Sequence, residues 1–167
     1  KYGIDNMRQN LLILTGWNHD SAPEIRPVPA SDLSRIGQMN PENDLRSAIG
    51  ANYDLQSLKG ASASGSSARN VKKRNVAQSE QDVASTLQAL YNTVISKRQS
   101  YEAALSEYAA AEQKMQAADR KYSLGMMGKL EYLSAQAEFL TSKSNKEVAD
   151  IELFSAMEKY DWAVKGL

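Results

Sequence analysis

The residues that catalysis would need are few and scattered. His19 is the chain's one histidine. It stands near Asp20 and Glu24 in a stretch broken by Pro23 and Pro27. A metal site wants three or four ligands held at a defined spacing. One imidazole and two carboxylates in a proline-rich segment make a poor one. Cysteine is absent, which removes disulfides and thiolate ligands and leaves little from which to build a nucleophile–base pair. Gly125 and Gly128 do not form a phosphate loop, because no strand precedes them and no Lys-Ser/Thr follows in register. The reading is therefore not an enzyme, with no cofactor and no metal.

Charge is equally uncommitted. Lysine and arginine total 20, and so do aspartate and glutamate. That balance gives no electrostatic case for nucleic acid. Arg69, Lys72, Lys73 and Arg74 do cluster, at the start of a helical pattern, which is the unfavourable end for a cation. The cluster reads as a solvated helix end or as a contact with anionic lipid.

What dominates the sequence is helical periodicity. Residues 4–15 end in Leu11-Leu12-Ile13-Leu14 and then Gly16, the pattern of a helix closed by glycine. Residues 17–40, with Pro23, Pro27 and Pro29 and followed by Pro41, read as an irregular connector. Asn40 and Pro41 suit the N-cap and first position of a helix over 41–58. The Gly/Ser-rich stretch 59–68 reads as a flexible link. These divisions give two regions: 1–40, the end of a helix plus a connector, and 41–167, an α-hairpin domain.

From Arg69 to about Leu124 there is neither proline nor glycine. A 3–4 apolar spacing runs Val83, Leu87, Leu90, Val94, Lys97, Tyr101, Ala104, Tyr108, Ala111, Met115, Ala118, Tyr122, which is the coiled-coil signal. Tyr101, Tyr108 and Tyr122 share one heptad position and read as seam packing. A second helix is expected over 129–164, with Leu130, Leu133, Ala137, Leu140, Ile151 and Phe154 as its seam. Lys143–Glu147 and Lys146–Asp150 are expected ion pairs on its solvated face. Gly125 suits the left-handed position after a helix and Gly128 the N-cap of the next, with Glu131 at N3. So short a turn forces the two helices antiparallel.

The fold class that follows is all-α: a long antiparallel coiled-coil hairpin. At ~1.5 Å per residue the 69–124 helix is about 84 Å long and the 129–164 helix about 54 Å. The difference matches a helix over 41–58, about 27 Å. The sequence thus predicts a short helix stacked end to end on the shorter arm.

Arg120-Lys121-Tyr122-Ser123-Leu124-Gly125-Met126, followed by Glu131, Leu133, Ala135, Gln136 and Leu140, resembles the helix-tip signature of TolC-like outer-membrane efflux proteins. That signature runs roughly Arg-(x)-Tyr-x-x-Gly-Leu-x-(Ser/Thr)-x-x-(Asp/Glu)-x-Leu-x-Ala-Gln. Asn10-Leu11-Leu12-Ile13-Leu14-Thr15-Gly16 looks like the end of the family's first repeat, and Asn52-Tyr53-Asp54-Leu55 follows in the expected order. The resemblance covers most of the chain, as a second repeat only. The start Lys1-Tyr2-Gly3, without Met, fits a processed or excised fragment. Two departures stand out. The family places two barrel strands where this chain has only 59–68, and Gly128 stands where the family usually carries a Ser/Thr cap.

The resemblance implies the helical tunnel portion of an efflux or secretion channel in the cell envelope. It implies a homo-oligomer whose partners are a periplasmic adaptor and an inner-membrane pump. Tyr122, Leu124, Gly125, Met126, Met127, Gly128 and Lys129 would then be the adaptor-docking tip, where two methionines suit a deformable contact. The other readings are a plain helix–helix turn at this position, and a coiled-coil scaffold or interaction module with no conduit role.

Overall fold

The computed structural model describes residues 2–18, 26 and 28–167. The reading of His19, Asp20 and Glu24 lies outside the described residues, as do Pro23 and Pro27. Every regular element among the described residues is helical. In order they are α1 (Tyr2–Thr15), a 3-10 turn (Leu33–Gln38), α2 (Pro41–Ala51), α3 (Tyr53–Gly60), α4 (Ser66–Ser123) and α5 (Lys129–Val164).

The long hairpin follows from its caps. α4 has 58 residues and α5 has 36, so they extend about 87 Å and 54 Å at ~1.5 Å per residue. After α4, the Gly125 N–H donates to the Tyr122 carbonyl at 3.0 Å and the Met126 N–H to that of Lys121 at 2.8 Å. This double glycine cap needs the left-handed backbone that Gly125 supplies at φ +70°. Gly128 is extended at φ −74°, ψ 151°, and caps α5 through its backbone alone. The same double cap closes α1 at Gly16 and α5 at Gly166.

The arm is thin near the turn and thick at the other end. There the buried cluster joins Leu87 and Val94 of α4, Leu153, Ala156, Met157 and Tyr160 of α5, Ala48 of α2, and Ile36 and Met39. The connector is strapped onto α5 by polar contacts as well. The Ser31 N–H donates to Asp150 Oδ1 at 3.1 Å, and Arg35 reaches Glu158 at 2.8 Å and Asp161.

Three sequence expectations change. The helix over 41–58 is two helices broken at Asn52. Its backbone turns extended there, its N–H closes α2 on Ala48, and its side chain caps α3 at Leu55 N–H. Gly166 explains why the break is useful: a Cβ there would come within 2.3 Å of the Ala51 backbone, so the end of α5 abuts the α2–α3 junction directly. α2 therefore packs beside α4 and α5, while α3 meets α4 beyond that junction, with Lys59 on Glu80 at 2.8 Å. Second, the link is only 61–65, since α3 runs through Gly60 and α4 starts at Ser66.

Third, α5 turns a different face to α4. The seam of α4 is the one the spacing predicts, with Leu87 and Val94 buried and Tyr101, Ala104, Tyr108, Ala111 and Met115 half-buried. On α5 the covered positions are Tyr132, Ala135, Phe139, Ser142, Lys146, Ala149, Leu153, Ala156 and Tyr160. That series also keeps a 3–4 spacing. The expected seam residues Leu130, Leu133, Ala137, Leu140 and Ile151 are exposed instead, and Phe154 is half-buried. α5 carries two apolar stripes, and the one with fewer large aliphatics wins because it brings aromatics against the tyrosines of α4. Phe139 lies 5.7 Å from Tyr108 and Tyr160 lies 6.2 Å from Tyr91, ring centre to ring centre.

Candidate functional site

The turn between α4 and α5 brings the seven predicted tip residues to one end of the molecule. Below it the arm is pinned by an aromatic pair. Tyr122 and Tyr132 stack at 4.4 Å between centroids with planes 15° apart. The Tyr132 hydroxyl donates to Asp119 Oδ1 at 2.9 Å, and this hydrogen bond, with its carboxylate acceptor, raises the phenol's pKa above its ordinary value. Tyr132 and Asp119 are a part of the tip that the expected α5 seam hid. The covered 3–4 series beginning at Tyr132 was the signal that would have found them.

The turn itself is ordered by backbone and apolar outside. Leu124 is 72% exposed and Met126 is 74% exposed, flanking Gly125. Leu130, in the first turn of α5, is 84% exposed and joins the same end, although its spacing assigned it to the seam. Lys129 is exposed beside it. Met127 differs: it is half-buried and lines a groove between the helices with Lys121, Glu131 and the small residues Ala118 and Ala135. So one methionine anchors the turn and the other stands in solvent. A Cβ on Gly125 or Gly128 would meet open space; Gly125 is required by its dihedral angle alone.

Of the basic cluster at the start of α4, Lys72 takes a structural role. Lys72 Nζ donates to the carbonyls of Lys59 and Ala61, both at 2.6 Å. A cation misplaced for α4 is thus well placed at the carboxyl end of α3, where its charge meets the negative pole of that helix. Lys97, the charged member of the α4 seam, pairs with Glu152 at 2.8 Å. The expected Lys146–Asp150 pair is not formed. Lys146 Nζ sits 5.6 Å over the Tyr108 ring, and Asp150 accepts from Ser31. Lys143 and Glu147 form no ion pair either among the described residues.

Among the described residues no group of three or more His, Cys, Asp or Glu side chains could hold a metal ion. No helix there is long and apolar enough to cross a membrane. No protein-family model matches the chain, and no curated protein or solved structure is significantly similar to it.

Proposed function

We propose that this chain is the helical-tunnel portion of an efflux or secretion channel of the TolC-like type, and that the α4–α5 turn docks the hairpin tip of a periplasmic adaptor. The observation that carries the reading is the turn: Leu124, Met126 and Leu130 are held in solvent at the far end of a long arm by a glycine cap and a tyrosine stack. Exposed large apolar groups on an ordered scaffold mark contact surfaces more often than isolated ones do. A methionine among them accommodates a partner's shape. The residues Arg120 to Met126 supply the family resemblance at the same place. The placement of α3 on α4, past the end of α5, agrees with a short arm extended by a second helix.

The reading assigns the chain to the cell envelope, in a homo-oligomer that works with an inner-membrane pump. A scaffold without a conduit is the second reading, favoured by the five-residue connection 61–65, which leaves no strand between α3 and α4.

Binding of the cognate adaptor tip to the wild-type chain and to Met126→Asp and Gly125→Pro variants tests the proposal. Met126 is exposed, so its variant keeps the fold, and a loss of at least tenfold in affinity is expected. Unchanged binding in the Met126→Asp variant removes the docking assignment.

A further inference from the structure

Charge is distributed unevenly along the hairpin. Residues 55–79, which take in most of α3, the link 61–65 and the first turns of α4, contain Lys59, Arg69, Lys72, Lys73 and Arg74 and no acidic side chain. The whole chain has a net charge of zero, so the other residues carry five more acidic than basic groups. The 58 residues of α4 extend about 87 Å. The positive excess sits at the end of that length opposite the turn.

Two of the five cations are engaged inside the fold. Lys59 pairs with Glu80 at 2.8 Å, and Lys72 donates to the Lys59 and Ala61 carbonyls. Arg69, Lys73 and Arg74 are exposed. They form no ion pair among the described residues, and Arg69 Nε donates to the Gly65 carbonyl one turn back. The first turn of α4 has neither an acidic residue nor a side-chain cap, so the positive pole of the helix adds to the same field. Cations gathered there work against α4, and an anionic partner reverses the sign of that effect.

The surroundings leave these side chains clear. Ser62, Ser64, Ser66 and Ser67 are small and exposed. Val71, at 43% exposed, sets one apolar group among the cations. Residues 55–79 contain no aromatic side chain on which the bases of a single strand could stack. Duplex nucleic acid is held by cations that follow its phosphates, whereas here they are confined to one end of a long helix. Acidic lipid headgroups present a plane of negative charge, which attracts a basic cluster of this kind. A cluster at the end of the hairpin meets such a plane while the more acidic remainder stays away from it.

We infer that Arg69, Lys73 and Arg74 bind the anionic headgroups of a lipid surface, with the start of α4 directed at it. The inference goes beyond the docking proposal and does not rest on it, since the turn lies at the other end.

The experiment is cosedimentation of the chain with vesicles of phosphatidylcholine alone and of phosphatidylcholine mixed with phosphatidylglycerol. Wild type is expected to bind the mixed vesicles only. Binding should fade as salt rises from about 0.1 M to about 1 M, where the screening length shortens from about 10 Å to about 3 Å. Each cation near the surface contributes about fivefold, so Arg69→Gln/Lys73→Gln/Arg74→Gln is expected to lose about 100-fold in affinity. Lys114→Gln/Lys121→Gln/Lys129→Gln removes the same charge from exposed positions toward the turn and is expected to bind like wild type. Helicity by circular dichroism checks both folds. A wild type that ignores the mixed vesicles, or binds both kinds equally, overturns the inference. Equal losses in the two triple variants also overturn it, because net charge and not this end would then be responsible. Duplex DNA bound as tightly as the mixed vesicles overturns the assignment to lipid. Adaptor binding by the Met126→Asp variant is read separately, and its failure leaves these results unchanged.

Discussion

Leu153 and Ile151 stand two residues apart on α5 and on opposite sides of it, so truncating each to alanine reads out which stripe is the seam. Leu153 is 0% exposed and packs in the cluster with Leu87, Val94 and Tyr160. Removing a fully buried leucine side chain loses its transfer free energy and leaves a cavity, together about 2–5 kcal/mol. In a chain of this size each kcal/mol lowers Tm by roughly 2–4 °C, so a cost of about 3 kcal/mol lowers Tm by roughly 6–12 °C. Ile151 is 50% exposed, and its truncation is expected to change stability by no more than about 0.5 kcal/mol. Urea unfolding followed by circular dichroism at low protein concentration gives both values, and an unchanged m-value shows that the unfolded reference is shared. The pair Phe139→Ala and Leu140→Ala repeats the comparison nearer the turn, where Phe139 faces Tyr108. If Ile151→Ala costs as much as Leu153→Ala, the assignment of the α5 faces is wrong.

Three further outcomes follow from single contacts. Gly166→Ala is expected to destabilise more than Gly125→Ala. Both glycines have positive φ, a cost of about 1–2 kcal/mol for alanine, but only at Gly166 does the added carbon meet the Ala51 backbone, at 2.3 Å; equal Tm losses would refute the close approach of α5 to the α2–α3 junction. Tyr160 donates to Asp44 at 2.6 Å, and burial first, then that hydrogen bond, raises its pKa above the ordinary 10.0. The folded state therefore holds this proton more tightly than the unfolded chain does. Its contribution is intact below pH ~10 and fades as pH rises beyond the unfolded value. Stability measured from neutral to alkaline pH should fall less steeply in Tyr160→Phe, which costs about 1–3 kcal/mol at neutral pH through the lost hydrogen bond to a carboxylate, although Asp44 keeps the Asn40 N–H; identical slopes would exclude Tyr160 as the source. Lys72→Met keeps the side-chain stem but loses the cation at the end of α3, and amide exchange in 53–60 should quicken while exchange at the hairpin turn does not change.

The sequence was strongest where local chemistry alone fixes the outcome. Gly16 and Gly125 announced their helix ends because few other residues adopt the left-handed backbone a glycine cap requires. Asn40-Pro41 announced the start of α2, and the α4 seam from Val83 to Met115 was legible from spacing. The place where the chain reverses, Leu124 to Lys129, was legible from Gly125, whose left-handed backbone closes α4.

Tertiary structure decided what spacing left degenerate. α5 carries two stripes of 3–4 period, and periodicity weighs aliphatics without knowing that the facing helix presents Tyr91, Tyr108 and Tyr122; ring packing with Tyr160, Phe139 and Tyr132 selected the other side. Residues 41–58 read as one helix, yet it breaks at Asn52, where the end of α5 at Gly166 presses on the backbone. Lys72 looked misplaced until the carboxyl end of α3 was beside it. In each case the deciding partner lies far along the chain, and a side chain's neighbours across the fold are set by packing, which a helical repeat permits in more than one way.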